Sequence, residues 1–503
     1  MKRRKFVLPL AVVGISCVAV VTACSFRDLW PYSKAGGASA SKDPITIVVN
    51  SLGLGFPPGL DENNNPYLDY IENNTNTNVN VILPPLEGYK EKLNLFMSMD
   101  NKPDMLNVFD DVWVASYVNQ NALLPLDDLL DKYGPDIKAQ MPKEAWDKVT
   151  FNGKIYAIPS VNEVKGVELM YARKDWLDRL GLKPPKTLDE YYTVIKAFKE
   201  RDPDGNGKDD TIGLLMTEYL GRSAPFFGAF GVQLNQWTEQ NGKLVNTNIL
   251  PQTKGALGFL SRLYSEGLLD PEFPLNKTRN LEEKVKSGKV GIYSATWYDT
   301  RGPIALNKDL DPNAEWIPLE YPTGPNGEKG VYDSPPVREY EVIPVGSKNP
   351  EAVIRMLNFI AGDGYSNLKL GFENEIWSWQ NGKIVTNFAE HNKHQYRGIY
   401  HSLVEVGRPD LIKVRLDSLG DFHLYENQQL IEQNLIKNQF VGLPTPAMEK
   451  YKAKLTSLQD VFTKIIVGTE PLDEFDRYVE RWKQEGGDEM TREVNEWFRA
   501  AKK

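Results

Sequence analysis

Three short apolar runs near the start of the chain, "DPITIVVN" (43–50), "VNVILPP" (79–85) and "DMLNVF" (104–109), constrain the fold most. Each has the length of a buried strand and is rich in β-branched or long aliphatic residues. Helical stretches separate them: "NPYLDYIENN" lies between the first two, and "EGYKEKLNLFMSMD" precedes the third. A strand that returns through a helix pairs in parallel with its predecessor, so this alternation predicts an α/β domain with a parallel sheet. At 503 residues the chain exceeds one ordinary core, which implies two or more domains.

The pattern continues downstream. "FNGKIYAIP" (151–159) leads into "VKGVELMYARKDWLDRLG" (164–181), a strand that passes into a helix. In "PPKTLDEYYTVIKAFKERD", Thr187 and Glu190 have capping-box spacing, and Leu188, Tyr191, Ile195 and Phe198 form a helical apolar stripe. "GKVGIYSATW" (288–297) and "EYEVIPVGSKNPEAVIRMLNFI" (339–360) supply further strands and a helix, and the chain is helix-rich from about 450. Trp176, Trp482 and Trp497 sit in helical stripes and read as core.

The N-terminus is a targeting segment. "MKRRKF" is a basic leader and "VLPLAVVGISCVAVV" an apolar run too short to span a bilayer. Val21, Thr22, Ala23 and Cys24 resemble a bacterial lipobox, which implies that residues 1–23 are removed as a signal peptide and that Cys24 is lipidated. The other cysteine, Cys17, lies in the removed part, so the mature chain has no disulfide. Loss of Lys2, Arg3, Arg4 and Lys5 takes the formal charge from −9 to −13. That acidity argues against nucleic acid as a partner. Residues 24–42 are rich in Gly, Ala and Ser and read as a lipidated tether, which places the body at the extracytoplasmic face of the membrane.

Catalytic motifs are missing: the sequence has no H-E-x-x-H, no G-x-S-x-G, no Walker loop and no G-x-G-x-x-G. The four histidines (His391, His394, His401, His423) fall in one late segment and read as surface residues rather than a zinc site. With 68 acidic residues, paired carboxylates carry no information on their own.

One loop does suggest a ligand. In "DPDGNGKDDTIG", Asp202, Asp204 and Asn206 occupy positions one, three and five, with Gly207 at the sharp turn, the carbonyl of Lys208 at seven and Asp210 at nine. This alternation of oxygens suits calcium. Position twelve is Gly213 rather than the bidentate Glu of a sensor loop, so Thr211, a distant side chain or water must complete the shell. We expect a structural ion.

Taken together, the lipobox, "KPDMLNVFDDVWVASYVNQNALLPLDDLL" (102–130), "GKIYAIP", "LMYARKDWLDRLGLKPPKTLDEY", "EGLLDPEF", "SGKVGIYSATW" and "VIPVGSKNPEAVIRMLNF" resemble the extracellular solute-binding lipoproteins of bacterial ABC importers, oligosaccharide-binding family 1. The motifs cover nearly the whole mature chain in the family's order, and the calcium loop resembles a structural loop of the longer members. The resemblance implies an α/β, two-lobed periplasmic-binding-protein fold of type II, with mixed sheets flanked by helices and a hinge between lobes. It implies a first lobe of residues 43–163 and 319–372 and a second of 164–318 and 373–503, with crossings near Glu163, Leu319 and Phe372. A monomer is expected to close over a sugar and deliver it to permease subunits, without catalysis.

Sugar rings stack their C–H faces on aromatics while polar side chains bond the hydroxyls. Candidates at strand ends and crossings are Asp110, Trp113, Glu163, Trp297, Tyr298, Asp299, Tyr332, Arg338, Trp377 and Trp379. The alternative is a surface polysaccharide hydrolase or lyase, and a peptide or lipid-linked ligand also stays open.

Overall fold

In the computed structural model, residues 42–502 are described; the signal peptide, Cys24 and the tether up to residue 41 lie outside them. From Asp43 onward the chain builds two sheets, each with its own hydrophobic core. The first sheet runs in the order Thr77–Ile82, Asp43–Val48, Met105–Val108, Val337–Val342, Ile158–Val161. Its three N-terminal strands are parallel, as the β-α-β alternation requires, while Val337–Val342 enters antiparallel. The helix Pro66–Thr75 starts where Asn65 accepts hydrogen bonds from the amides of Tyr67 and Leu68, and it buries Tyr67, Leu68 and Ile71.

The second sheet has the order Trp316–Pro318, Glu168–Arg173, Val290–Thr296, Ile212–Leu215. Against it packs the helix Leu188–Glu200. Its N-terminus is closed by the expected capping box: Thr187 Oγ1 accepts from the Glu190 amide, and Glu190 Oε2 accepts from the Thr187 amide. Leu188, Tyr191, Ile195 and Phe198 are all buried on one face, each contributing about 1.5–3 kcal/mol. Trp176 and Trp482 are core residues, and Trp497 packs partly buried at the margin of the second core.

Core membership shows where the chain changes lobe. It passes from the first core to the second between Val161 and Glu168. Leu319, Tyr321 and Val331 still pack in the second core, so the return falls between Tyr332 and Val337. Tyr396, Ile399, Tyr400 and Val406 belong to the first core, so the last crossing follows Val406. The second and third crossings are therefore later than the Leu319 and Phe372 boundaries expected from sequence. The reason is local: the Tyr321 hydroxyl bonds the Glu168 carbonyl, and Val331–Tyr332 pairs with Leu435–Ile436, which keeps residues 319–332 on the second lobe. The hairpin Trp377–Gln380 with Lys383–Thr386 is an excursion with its own small cluster, after which the chain rejoins the first core. No helix among the described residues is long and apolar enough to cross a membrane.

Candidate functional site

Strand direction decides where a cleft must lie. In the first sheet the C-terminal ends of the three parallel strands, and of Ile158–Val161, point the same way as the N-terminal end of the antiparallel Val337–Val342. In the second sheet the C-terminal ends of Ile212–Leu215 and Val290–Thr296 lie beside the N-terminal end of Glu168–Arg173. Both sets of ends meet the segments 162–167 and 333–336 that join the lobes. Ligands of open α/β sheets bind at such carboxyl ends.

Glu163, on the first crossing, is held in a buried ion cluster. Its Oε2 takes Lys369 Nζ at 2.7 Å and Arg415 Nη2 at 3.2 Å. Lys369 also bonds Glu405, whose Oε1 accepts from the Tyr365 hydroxyl at 2.5 Å. Burial alone would raise the Glu163 carboxyl, but Lys369 and Arg415 outweigh it and hold it below the usual range. Glu163 thus ties the first crossing to the third.

On the second lobe, Trp297, Tyr298 and Asp299 follow Val290–Thr296. Trp297 and Tyr298 pack edge to face at 5.2 Å and lie against Leu416, Leu419 and Leu424, half-buried at the cleft edge. The Asn427 amide donates to the Trp297 carbonyl at 2.9 Å and fixes this turn. Asp299 is buried: it accepts from the Thr296 hydroxyl and faces Arg222 Nη1 at 3.5 Å. It orients Arg222 more than it faces solvent. Tyr332 is half-buried at the edge of the second core.

Sequence reasoning missed the loop after Ile212–Leu215. Tyr219, Leu220 and Arg222 all have positive φ, of 56°, 59° and 70°. Three non-glycine residues in that region store strain, which concentrates at ligand sites. Tyr219 is 82% exposed, a large aromatic presented to solvent by the strained turn. Its only sequence signal is its place after a strand.

On the first lobe, Asp110 caps the helix Asp111–Asn119 by accepting from the Val112 amide at 2.8 Å. Lys452 Nζ of the second lobe lies 3.6 Å from its Oδ2. Two further contacts bring the lobes together: Asn119 donates to Glu449 at 2.7 Å, and Lys148 Nζ donates to the Val441 carbonyl at 2.7 Å. Trp113 packs on Phe109 at 4.9 Å and under Lys90, and it lines a groove of about 540 Å³ between the helices Tyr89–Ser98 and Asp111–Asn119. Arg338 is half-exposed and pairs with Glu339 at 3.2 Å.

In the hairpin, Trp377 is 9% exposed and donates from Nε1 to the Gly371 carbonyl, whereas Trp379 is 56% exposed. Their rings meet edge to face at 6.1 Å, so they share a face of which one member is covered. The histidines depart from the surface reading: His391, His394 and His401 are half-buried, and only His423 is exposed. Burial, then Arg397 and Arg301, draws His391 down to about 4.

The model of the bacterial extracellular solute-binding protein family matches residues 61–366, more than half of the chain. The chain belongs to this family. Among similar proteins, Lipoprotein LipO of Bacillus subtilis (strain 168) is 26% identical over 100% of this chain and 99% of its own. The polygalacturonan/rhamnogalacturonan-binding protein YtcQ of the same organism is 28% identical over 98% of each chain. A solved structure of the Streptococcus pneumoniae ABC-transporter substrate-binding protein FusA, an EF-hand mutant in complex with fructo-nystose, superposes with a TM-score of 0.73 at 19% identity, covering 92% of this chain and 99% of that one. This likeness shows the fold, an α/β architecture of two lobes with mixed sheets. By its family the chain is a bacterial extracellular solute-binding protein.

Its loop 202–213 has the backbone of an ion-binding turn. Gly205 and Gly207 have positive φ, Asp202 accepts from the amides of Asn206 and Gly207, and Asn206 Oδ1 accepts from the Lys208 amide at 2.7 Å. Burial, with the neighbouring Asp202 carboxyl, pushes the Asp204 carboxyl up, a repulsion that a divalent cation relieves. The donors fit calcium in kind, although among the described residues no three His, Cys, Asp or Glu side chains are grouped to hold a metal. Asp210 instead pairs with Lys289 at 3.1 Å. Thr211 is turned inward, its hydroxyl donating to the Phe198 carbonyl at 2.8 Å. Gly213 lies in the strand Ile212–Leu215, where a Cβ would meet the Ile195 carbonyl at 2.6 Å. A twelfth-position Glu has no room here.

Proposed function

We propose that this solute-binding protein captures an oligosaccharide between its lobes and delivers it to membrane permease subunits, as a monomer anchored through a lipid on Cys24 once residues 1–23 are removed. One observation carries the reading: aromatic faces at the joined strand ends, Trp297, Tyr298 and Tyr219, beside fixed polar groups, Arg222 and Glu163. Aromatic faces take the apolar side of a sugar ring, and preset polar groups take its hydroxyls. YtcQ is a polygalacturonan/rhamnogalacturonan-binding protein and FusA was solved with fructo-nystose, so two similar proteins take saccharides.

Capture follows from the hinge. The crossings at 162–167, 333–336 and after Val406 carry the bending, and the cluster of Glu163, Lys369, Glu405 and Arg415 keeps two of them in register. Closure brings Asp110 and Asp111 to Lys452 and Asn119 to Glu449, so these rim contacts stabilise the closed form in which water leaves the ligand. Trp113, Tyr332, Arg338, Trp377 and Trp379 belong to the wider surface a long saccharide would reach.

Calcium would be held by Asp202, Asp204, Asn206, the Lys208 carbonyl and Asp210. It would neutralise their carboxylates and pin the loop that links the helix Leu188–Glu200 to the strand Ile212–Leu215. The protein performs no chemistry on its ligand. A thermal-shift screen against plant and microbial oligosaccharides, followed by chromatography of the recovered sugar, tests this. Stabilisation with intact sugar supports the proposal, and cleavage products would establish the hydrolase or lyase reading instead.

A further inference from the structure

Two buried or half-buried guanidinium groups beside the hinge have no carboxylate partner. Arg397 is 6% exposed; it donates from Nη1 to the His394 carbonyl at 2.8 Å and contacts His391 Nδ1 through Nη2 at 3.2 Å. Its Nε has no hydrogen-bond partner, and no acid lies within 4.0 Å of its guanidinium among the described residues. Arg301, half-buried, donates to the Tyr298 hydroxyl and lies over the rings of Tyr298 and Phe388 at 5.6 and 5.5 Å, again without an acid. An arginine stays charged wherever it is placed, and a buried cation without an anion is costly.

The surroundings keep the balance positive. Arg415 and Lys369 share the two carboxylates of Glu163 and Glu405, so with Arg397 three cations face two anions. Two further acids, Glu375 and Glu390, lie against His394. His391 accepts at Nδ1 from Arg397, because arginine has no acceptor, which leaves its proton on Nε2 as another donor.

Arg397 faces a space of defined size. Arg397, Arg415, Lys369 and His391 line a cavity of about 50 Å³ together with Trp377 and Leu419. A water needs about 10–15 Å³ of such volume, so the cavity holds a group of a few heavy atoms and excludes a whole sugar ring. Trp377, Ile384 and Leu419 give the cavity apolar wall beside its cations.

We infer that this cavity is a carboxylate subsite, and that the oligosaccharide taken by the cleft carries uronic acid residues. The inference rests on the oligosaccharide reading above and names its substrate class. A carboxylate accepts two parallel N–H bonds from one guanidinium, and charge-assisted bonds of this kind are the strong ones.

The test is calorimetric titration of the full-length mature protein with trisaccharides of galacturonate, glucuronate and mannuronate, each beside its methyl ester. At least one acid form should bind, with its ester weaker by roughly tenfold or more. Arg397→Gln should reduce the acid-over-ester preference roughly ten- to a hundredfold. Arg415→Gln, at a cavity-lining side chain that is 19% exposed, should do the same and keeps the test decisive if Arg397→Gln fails to fold. Equal binding of acid and ester, or binding of neutral oligosaccharides with rejection of all three acids, overturns the subsite and leaves the oligosaccharide reading standing. Failure of every charged and neutral saccharide would sink that reading and this one with it.

Discussion

Lys369→Met removes the cation that joins the hinge. Lys369 is 6% exposed and bridges Glu163 and Glu405, which are 14% and 4% exposed. Breaking a buried pair from one side costs about 3–5 kcal/mol, because a charge is left without compensation. Here the low end applies: Glu163 keeps Arg415 at 3.2 Å, and Glu405 keeps the Tyr365 hydroxyl at 2.5 Å and the Gly407 amide at 3.0 Å. A loss of about 3 kcal/mol corresponds to a fall in Tm of roughly 3 °C at pH 7 for a chain of this size unfolding as one unit. The pH dependence adds a second reading. The Glu163 carboxyl is held below its unfolded value, so its contribution is present above that unfolded value and fades as pH falls through the lower folded one. The gap between wild type and variant in scanning calorimetry should therefore narrow below about pH 4. Adding Glu405→Gln should recover part of the loss, since one stranded charge disappears. A Tm within about 1 °C of wild type at pH 7, or a gap that stays constant on acidification, would refute the reasoning.

Three further outcomes follow from the same geometry. Tyr219→Ala, at a position 82% exposed, should leave Tm nearly unchanged and weaken saccharide binding up to roughly tenfold in titrations; unchanged affinity would remove Tyr219 from the binding surface. Chelation of calcium should lower Tm by a similar amount with and without sugar, since an ion bound only to the native state at about a hundred times its Kd contributes about 2.7 kcal/mol. Loss of sugar binding without loss of stability would show that the ion serves the ligand. Glu341→Gln should raise Tm at pH 8 and not near pH 4: burial, then Glu339, pushes the Glu341 carboxyl well up, so the native state holds an extra proton and loses stability as pH rises. The Asn107 amide, which donates to Glu341 Oε1 at 2.7 Å, remains a partner for the substituted side chain. A Tm change that is the same at both pH values would contradict the assignment.

What the sequence made legible was local. The three strands at 43–48, 77–82 and 105–108 and the box of Thr187 and Glu190 follow from short-range periodicity and capping, and they hold in the structure. Glu163 was singled out because a crossing begins where a strand ends, yet its partners Lys369 and Arg415 lie 206 and 252 residues away. No spacing rule reaches that far. The boundaries at Leu319 and Phe372 moved because contacts remote in sequence, the Tyr321 hydroxyl on Glu168 and the pairing of Val331–Tyr332 with Leu435–Ile436, kept 319–332 on the second lobe, and core packing returned 396–406 to the first. His391 and His401 read as surface for the same reason: what covers them comes from elements remote in sequence. Tyr219 went unnoticed because backbone strain leaves no mark in a residue string. In the calcium loop the donor alternation was legible, whereas the inward turn of Thr211 depends on a helix packed behind it.

Reversible capture of an intact saccharide is the central expectation for this protein. Native mass spectrometry of the mature protein, incubated with the oligosaccharide that stabilises it most, tests this directly. The predicted spectrum shows one protein chain carrying one sugar of unaltered mass, with the free sugar equally unaltered. A spectrum of shortened or eliminated sugar, or of protein without any bound saccharide, would contradict it.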